Sequence, residues 1–143
     1  MNHIKILLVD DEEGFVQTMQ KRLAKRNLNA DAAYSGGDAV EMLQKSPVDV
    51  VILDVKMPGM DGIDTLREIK KHHPLTEVIM LTGHATVQSA IEGMKLGAFD
   101  YLMKPCDLEE LVQKVRDASG KKEAHEQKII EARARNIALR RGD

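Results

Sequence analysis

The run Val48-Asp49-Val50-Val51-Ile52-Leu53 constrains the fold more than any other stretch of the chain. It is too short for a buried helix, and its β-branched side chains favour extended backbone. A strand with one wet face alternates apolar and polar residues. This run is apolar at nearly every position, as expected when helices cover both faces of a parallel sheet. It stops at Asp54. Ile4 to Val9 likewise stops at Asp10-Asp11, Val78 to Leu81 at Thr82, and Phe99 to Met103 at Lys104, while Asn29 to Tyr34 reads as a weaker strand.

The segments between these runs carry helical spacing. Phe15, Val16, Met19 and Leu23 recur between Gly14 and Arg26, with Asn27 closing the helix. Ser35-Gly36-Gly37-Asp38 opens a second helix bearing Ala39, Val40, Met42 and Leu43, which Pro47 ends. After a turn through Met57-Pro58-Gly59-Met60, Ile63, Leu66 and Ile69 mark a third helix from about Asp61 to His72, blocked by Pro74. Val87 to Leu96, closed by Gly97, is a fourth, and Asp107 caps a fifth. Parallel neighbours need crossover connections, so five alternations predict an α/β fold: a doubly wound five-stranded parallel sheet with helices on both faces. Spacing leaves the strand order open among doubly wound arrangements, and 2-1-3-4-5 is the order expected. Composition shifts near Ser119-Gly120, dividing the chain into a domain of residues 1–119 and a basic, helical or linker-like extension of residues 120–143.

A chain of 143 residues, 43% hydrophobic, can bury one core of ordinary size. Aromatic residues make up 3%, with no Trp, which argues against base stacking as a function. Residues 1–120 hold 14 Lys and Arg against 19 Asp and Glu, and residues 121–143 hold 7 against 4, so an acidic body carries a basic tail. That balance argues against a nucleic-acid groove on the body, and no DNA binding by this chain alone is expected. Cys106 is the single cysteine, so no internal disulfide can form, and the first residues lead into a strand rather than a signal peptide. Both features point to the cytoplasm. No apolar run reaches membrane-spanning length, so no membrane partner is expected.

In an open parallel sheet the ligand crevice lies beyond the carboxyl ends of the strands. The residues there are Asp10, Asp11, Asp54, Thr82 and Lys104. Three carboxylates from two strands repel one another unless a cation sits among them, and hard oxygen ligands select Mg2+ or Mn2+. Asp54 can then be both ligand and nucleophile toward phosphorus, with Lys104 neutralising the transferring oxygens and the Thr82 hydroxyl donating to one of them. Each residue singly has a plainer reading. Asp10-Asp11-Glu12-Glu13 is an ordinary acidic helix start, Asp54 and Thr82 are turn residues, and Lys104 is a solvated charge. Their coincidence at successive strand ends makes the joint chemical reading the more economical one.

Val9-Asp10-Asp11, the run from Leu53-Asp54 through Met57-Pro58-Gly59-Met60-Asp61-Gly62, Leu81-Thr82-Gly83 and Tyr101-Leu102-Met103-Lys104-Pro105 resemble the motifs of response regulator receiver domains, over about residues 4–118. Gly83 to Val87 and Met94 to Tyr101 are similar in particular to receivers attached to sigma-54-dependent activators. The resemblance implies a two-component phosphoacceptor that catalyses only its own phosphorylation and dephosphorylation, served by a sensor histidine kinase or phosphotransfer protein and acting on a downstream protein target. It implies Asp54 as phosphoacceptor, Asp11 as direct Mg2+ ligand, Asp10 as ligand through water, and Lys56 as donor of a backbone carbonyl to the metal. It also implies Thr82 and Tyr101 as a switch pair, a cis Lys104-Pro105 peptide, and an output surface on helix four, strand five and helix five. Lys56 and His84 occupy positions that tune phosphoryl lifetime in this family. Their bulk is expected to hinder an in-line water, although both read equally well as solvated side chains.

Two rival functions fit these residues less well. A haloacid-dehalogenase-like phosphohydrolase would place a second acid where this chain has Lys56. A phosphorylation-independent adaptor would ordinarily have lost part of the acidic and Lys set. Cys106 reads as a small, partly buried hydrophobe, and no His has a partner at metal-ligand spacing. Helix five can continue without Pro to about Arg141. A heptad frame places Leu108, Val115, Lys122, Ile129 and Asn136 at one seam position and Leu111, Ala118, His125, Ala132 and Leu139 at the other. Homodimerisation through this helix and tail competes with a frayed basic linker, since Lys122 and His125 interrupt the stripe.

Overall fold

Period-two alternation in the apolar runs sorts their side chains onto opposite faces of one sheet. The structure, a computed structural model, describes residues 3–57 and 59–141, the last by its backbone only. Pro58 of the expected turn, and residues 1, 2, 142 and 143 of the two expected regions, lie outside the described residues. The strands β1 (Ile6–Val9), β2 (Ala30–Ala33), β3 (Val50–Leu53), β4 (Glu77–Thr82) and β5 (Asp100–Met103) pair in parallel in the order β2-β1-β3-β4-β5, as expected. They alternate with α1 (Glu13–Ala24), α2 (Gly36–Lys45), α3 (Gly62–His72), α4 (Val87–Lys95) and α5 (Leu108–Arg141). Ile6, Leu8, Val50, Ile52, Ile79 and Leu81 pack with Val16 and Leu23 of α1 and with Leu111 and Val115 of α5. Leu7, Val9, Val51, Leu53, Val78 and Met80 pack on the other face with Leu43 of α2 and Leu66 and Ile69 of α3.

Helix starts follow the polar residues that precede them. Ser35 accepts from the amide of Asp38 and Asp61 from that of Asp64, while Thr86 and Ser89 form a reciprocal capping box at α4. Asn27 closes the turn after α1 with φ 62°. Gly62 is required by proximity: a Cβ there would lie 2.1 Å from the Asp54 carbonyl oxygen.

β4 begins one residue earlier than its apolar run, at Glu77. That carboxylate is buried, balanced by Lys70 at 3.2 Å and Lys121 at 3.5 Å, so its charge disguised a strand position. Helix α5 is continuous over 34 residues and crosses Gly120, so the expected boundary at 119/120 falls within a single helix. Its first half packs Leu111, Val112, Val115 and Ala118 into the core. The next turn is tethered by Lys122 to Asp49 at 3.1 Å, and beyond it Ile130, Ile137 and Leu139 are exposed. No described helix is long and apolar enough to cross a membrane.

Candidate functional site

Register decides which side chains meet. Val9 pairs with Leu53, and the Asp54 amide donates to the Val9 carbonyl at 3.0 Å, so Asp10 and Asp54 leave the sheet at one level. Thr82 pairs with Met103, and the Lys104 amide donates to the Thr82 carbonyl at 2.8 Å, bringing the β4 and β5 ends to the same edge. Asp10, Asp54 and Thr82 are buried, and the Lys104–Pro105 peptide is cis, as the resemblance implied. Lys104 Nζ lies 2.6 Å from Asp10 Oδ2, 3.3 Å from Glu12 Oε1 and 4.0 Å from the centre of the Phe15 ring.

The carboxylates outnumber the cations here. One oxygen each of Asp10, Glu12 and Asp54 lie within 4.8 Å of one another. Burial pushes the Asp10 carboxyl above its ordinary value, and the charge of Asp54 adds to this, more than the Lys104 hydrogen bond and Glu12 amide pull it down. Burial works against the Lys104 ammonium too, but its contact with Asp10 outweighs that and holds it charged. One ammonium cannot satisfy two buried carboxylates. Asp54 Oδ1 makes the deficit visible: it is buried and has no hydrogen-bond partner among the described residues. A hard divalent cation fits both the all-oxygen donor set and the orphaned oxygen.

The other expected residues surround this cluster. Asp11 is exposed and stands outside the three-carboxylate group; Glu12 takes the place there that the sequence reading had not assigned to it. Thr82 Oγ1 accepts from the His84 amide at 3.0 Å, which leaves its own proton available. The Tyr101 hydroxyl lies 2.7 Å from Ser89 Oγ. Lys56 and His84 are exposed and line one cleft with Val55, Asp61, Thr86 and Ser89. Glu12 and Ser89 were overlooked because one sat in a run that reads as a helix start and the other in a polar helical position. The Thr86-x-x-Ser89 capping pattern was the only signal for the second. Burial, then Glu110 and Asp107, push the Cys106 thiol up, which keeps it protonated.

The family model described as response regulator receiver domain matches residues 6–116. The chain is 39% identical over 107 residues to the regulatory protein AtoC of Escherichia coli, covering 75% of this chain and 23% of that protein. It is 36% identical over 113 residues to the DNA-binding transcriptional regulator NtrC of the same organism, covering 79% and 24%. It thus spans about a quarter of the length of these relatives. Among solved structures it is similar to a response regulator receiver domain protein from Clostridium thermocellum, with a TM-score of 0.80 and 38% identity over 85% of this chain and 98% of that one.

Proposed function

The chain belongs to the response regulator receiver domain family of two-component systems, and from that premise we propose that Asp54 accepts a phosphoryl group from a phosphohistidine of a sensor histidine kinase or phosphotransfer protein. The observation that carries this reading is the buried Asp54 carboxylate with an orphaned oxygen, set beside Asp10 and the Lys104 ammonium. Asp54 forms the new P–O bond as the donor's P–N bond breaks, and the departing imidazole takes a proton. Lys104 leaves its carboxylate partners to neutralise a phosphoryl oxygen, and Thr82 donates its free proton to another. Asp10 and Asp54 of the carboxylate group, with Asp11 turning in from its exposed position beside Asp10 and the Lys56 carbonyl, would hold Mg2+, Mn2+ being the alternative. The ion supplies charge neutralisation for the transferring oxygens. The chain is a phosphoacceptor that catalyses only its own phosphorylation and dephosphorylation.

Phosphorylation then draws the Thr82 hydroxyl toward the phosphoryl group, and Tyr101 turns into the space it leaves. This shifts a surface on α4, β5 and α5 on which Val87, Ile91, Met94 and Met103 are exposed, and which meets a downstream protein target. Treatment with acetyl phosphate and Mg2+ tests the reading: a base-labile mass increase should appear and be lost in Asp54→Ala. Retention of the adduct in that variant would remove Asp54 from its role.

A further inference from the structure

We propose that Glu12 is a positioning residue that receives the Lys104 ammonium when a divalent ion takes Asp10, so that the ion can enter without driving Lys104 out of the site. This rests on the ion and the Lys104 role proposed above, and it assigns the residue that lets both cations serve one pair of buried carboxylates.

Both oxygens of Asp10 are engaged. Oδ1 accepts from the Glu12 amide at 2.9 Å and Oδ2 from Lys104 Nζ at 2.6 Å, while Asp54 Oδ1 has no partner among the described residues. An ion drawn to the free Asp54 oxygen reaches Asp10 only against the ammonium, because a dication and an ammonium on one buried carboxylate repel strongly. The ammonium gives way, and the residues around it set where it goes. Glu12 Oε1 lies 3.3 Å from Nζ and the centre of the Phe15 ring 4.0 Å from it, both at the start of α1. The Glu12 contact is the longer of the two carboxylate contacts, so a closer approach on that side is still available once Asp10 is taken. The Glu12 side chain is 65% exposed against 2% for Asp10, so an ion pair closed at this rim costs little desolvation. The Phe15 ring bounds the same side and favours a cation over its face. Lys104 therefore stays beside the site, ready for a phosphoryl oxygen.

Titration with Mn2+, followed by the paramagnetic resonance of the free ion, tests this in the parent, Glu12→Gln, Lys104→Met and the double variant. Glu12→Gln should weaken binding roughly two- to fivefold, the fold-change of one ion pair at a rim. Lys104→Met keeps the apolar stem but removes the competing ammonium, so it should tighten binding. In that background Glu12→Gln should lose most of its effect, because there is no ammonium left to receive. Parent-like binding in Glu12→Gln, or no tightening in Lys104→Met, overturns the proposal. So does an equal loss in both backgrounds, which would make Glu12 a partner of the ion itself. Each of these leaves the receiver reading intact. A parent that binds no Mn2+ overturns the ion site, and the proposal falls with that reading.

Discussion

Lys104 is shared between tasks that the geometry sets against each other: it balances Asp10 at 2.6 Å before phosphorylation and is proposed to balance a phosphoryl oxygen after it. Lys104→Ala should slow phosphorylation by acetyl phosphate by about a hundredfold, because a preorganised charge on the transferring oxygens is gone. The same variant should be destabilised by roughly 1–3 kcal/mol without metal, since buried Asp10 loses its counter-ion, and Mg2+ should restore part of the loss. Thermal melts with and without Mg2+ check the second half; equal destabilisation in both conditions would contradict the shared-cation account. Lys56 and His84, which line one cleft, are expected to shield the acyl phosphate from water. Phosphoryl loss in Lys56→Ala or His84→Ala should quicken several-fold, about the effect of one removed hydrogen-bonding side chain, and decay at the parent's rate would refute the shielding. Asp10, Asp54, Thr82 and Lys104 were legible because each follows an apolar run in a parallel sheet, where strand ends converge whatever the strand order. Glu12 and Ser89 were not, because their roles depend on which side chain of another element meets them.

The elements obey local rules with two exceptions, and both have a physical reason. Glu77 opens β4 against its charge because Lys70 and Lys121 neutralise it from α3 and α5. Gly120 sits inside α5 against its propensity because packing before it and the Lys122 tether after it hold the helix on. A Cβ at Gly120 would meet nothing within 4 Å, so Gly120→Ala should stabilise the protein by about 0.5–1 kcal/mol in denaturant melts. Gly62→Ala should do the reverse by about 1–3 kcal/mol, since the added carbon collides with the backbone after Asp54. Burial opposes the Lys122 ammonium, but its hydrogen bonds to Asp49 and Glu126 outweigh that and raise its pKa above the ordinary 10.5. A raised folded value means that this tether contributes fully below about 10.5 and is lost as pH climbs through the folded value. As pH rises above about 10.5 the parent should therefore lose stability more steeply than Lys122→Met, which lacks the titrating group.

On the scale of the molecule, an acidic three-layered body, one sheet between two layers of helices, carries a helix that outruns it. The heptad frame read from the sequence runs through Leu111, Val115 and Ala118, but those side chains are spent on the chain's own sheet. A partner seam is left only with the later positions of that frame, of which Ile129 and Leu139 are exposed. Self-association through this half of α5 is our expectation: sedimentation should show a concentration-dependent dimer that Ile129→Glu with Leu139→Glu abolishes, and a parent that stays monomeric throughout removes the idea.

Beyond the Lys122–Asp49 ion pair α5 runs 19 more residues to Arg141, an arm of about 28 Å at the helical rise. The helix that carries this arm begins at Leu108, three residues after Pro105. Each degree of pivot about the tether sweeps the arm's tip by about 0.5 Å, so a tilt too slight to disturb the hydrophobic layers is magnified into a displacement a neighbouring molecule can sense.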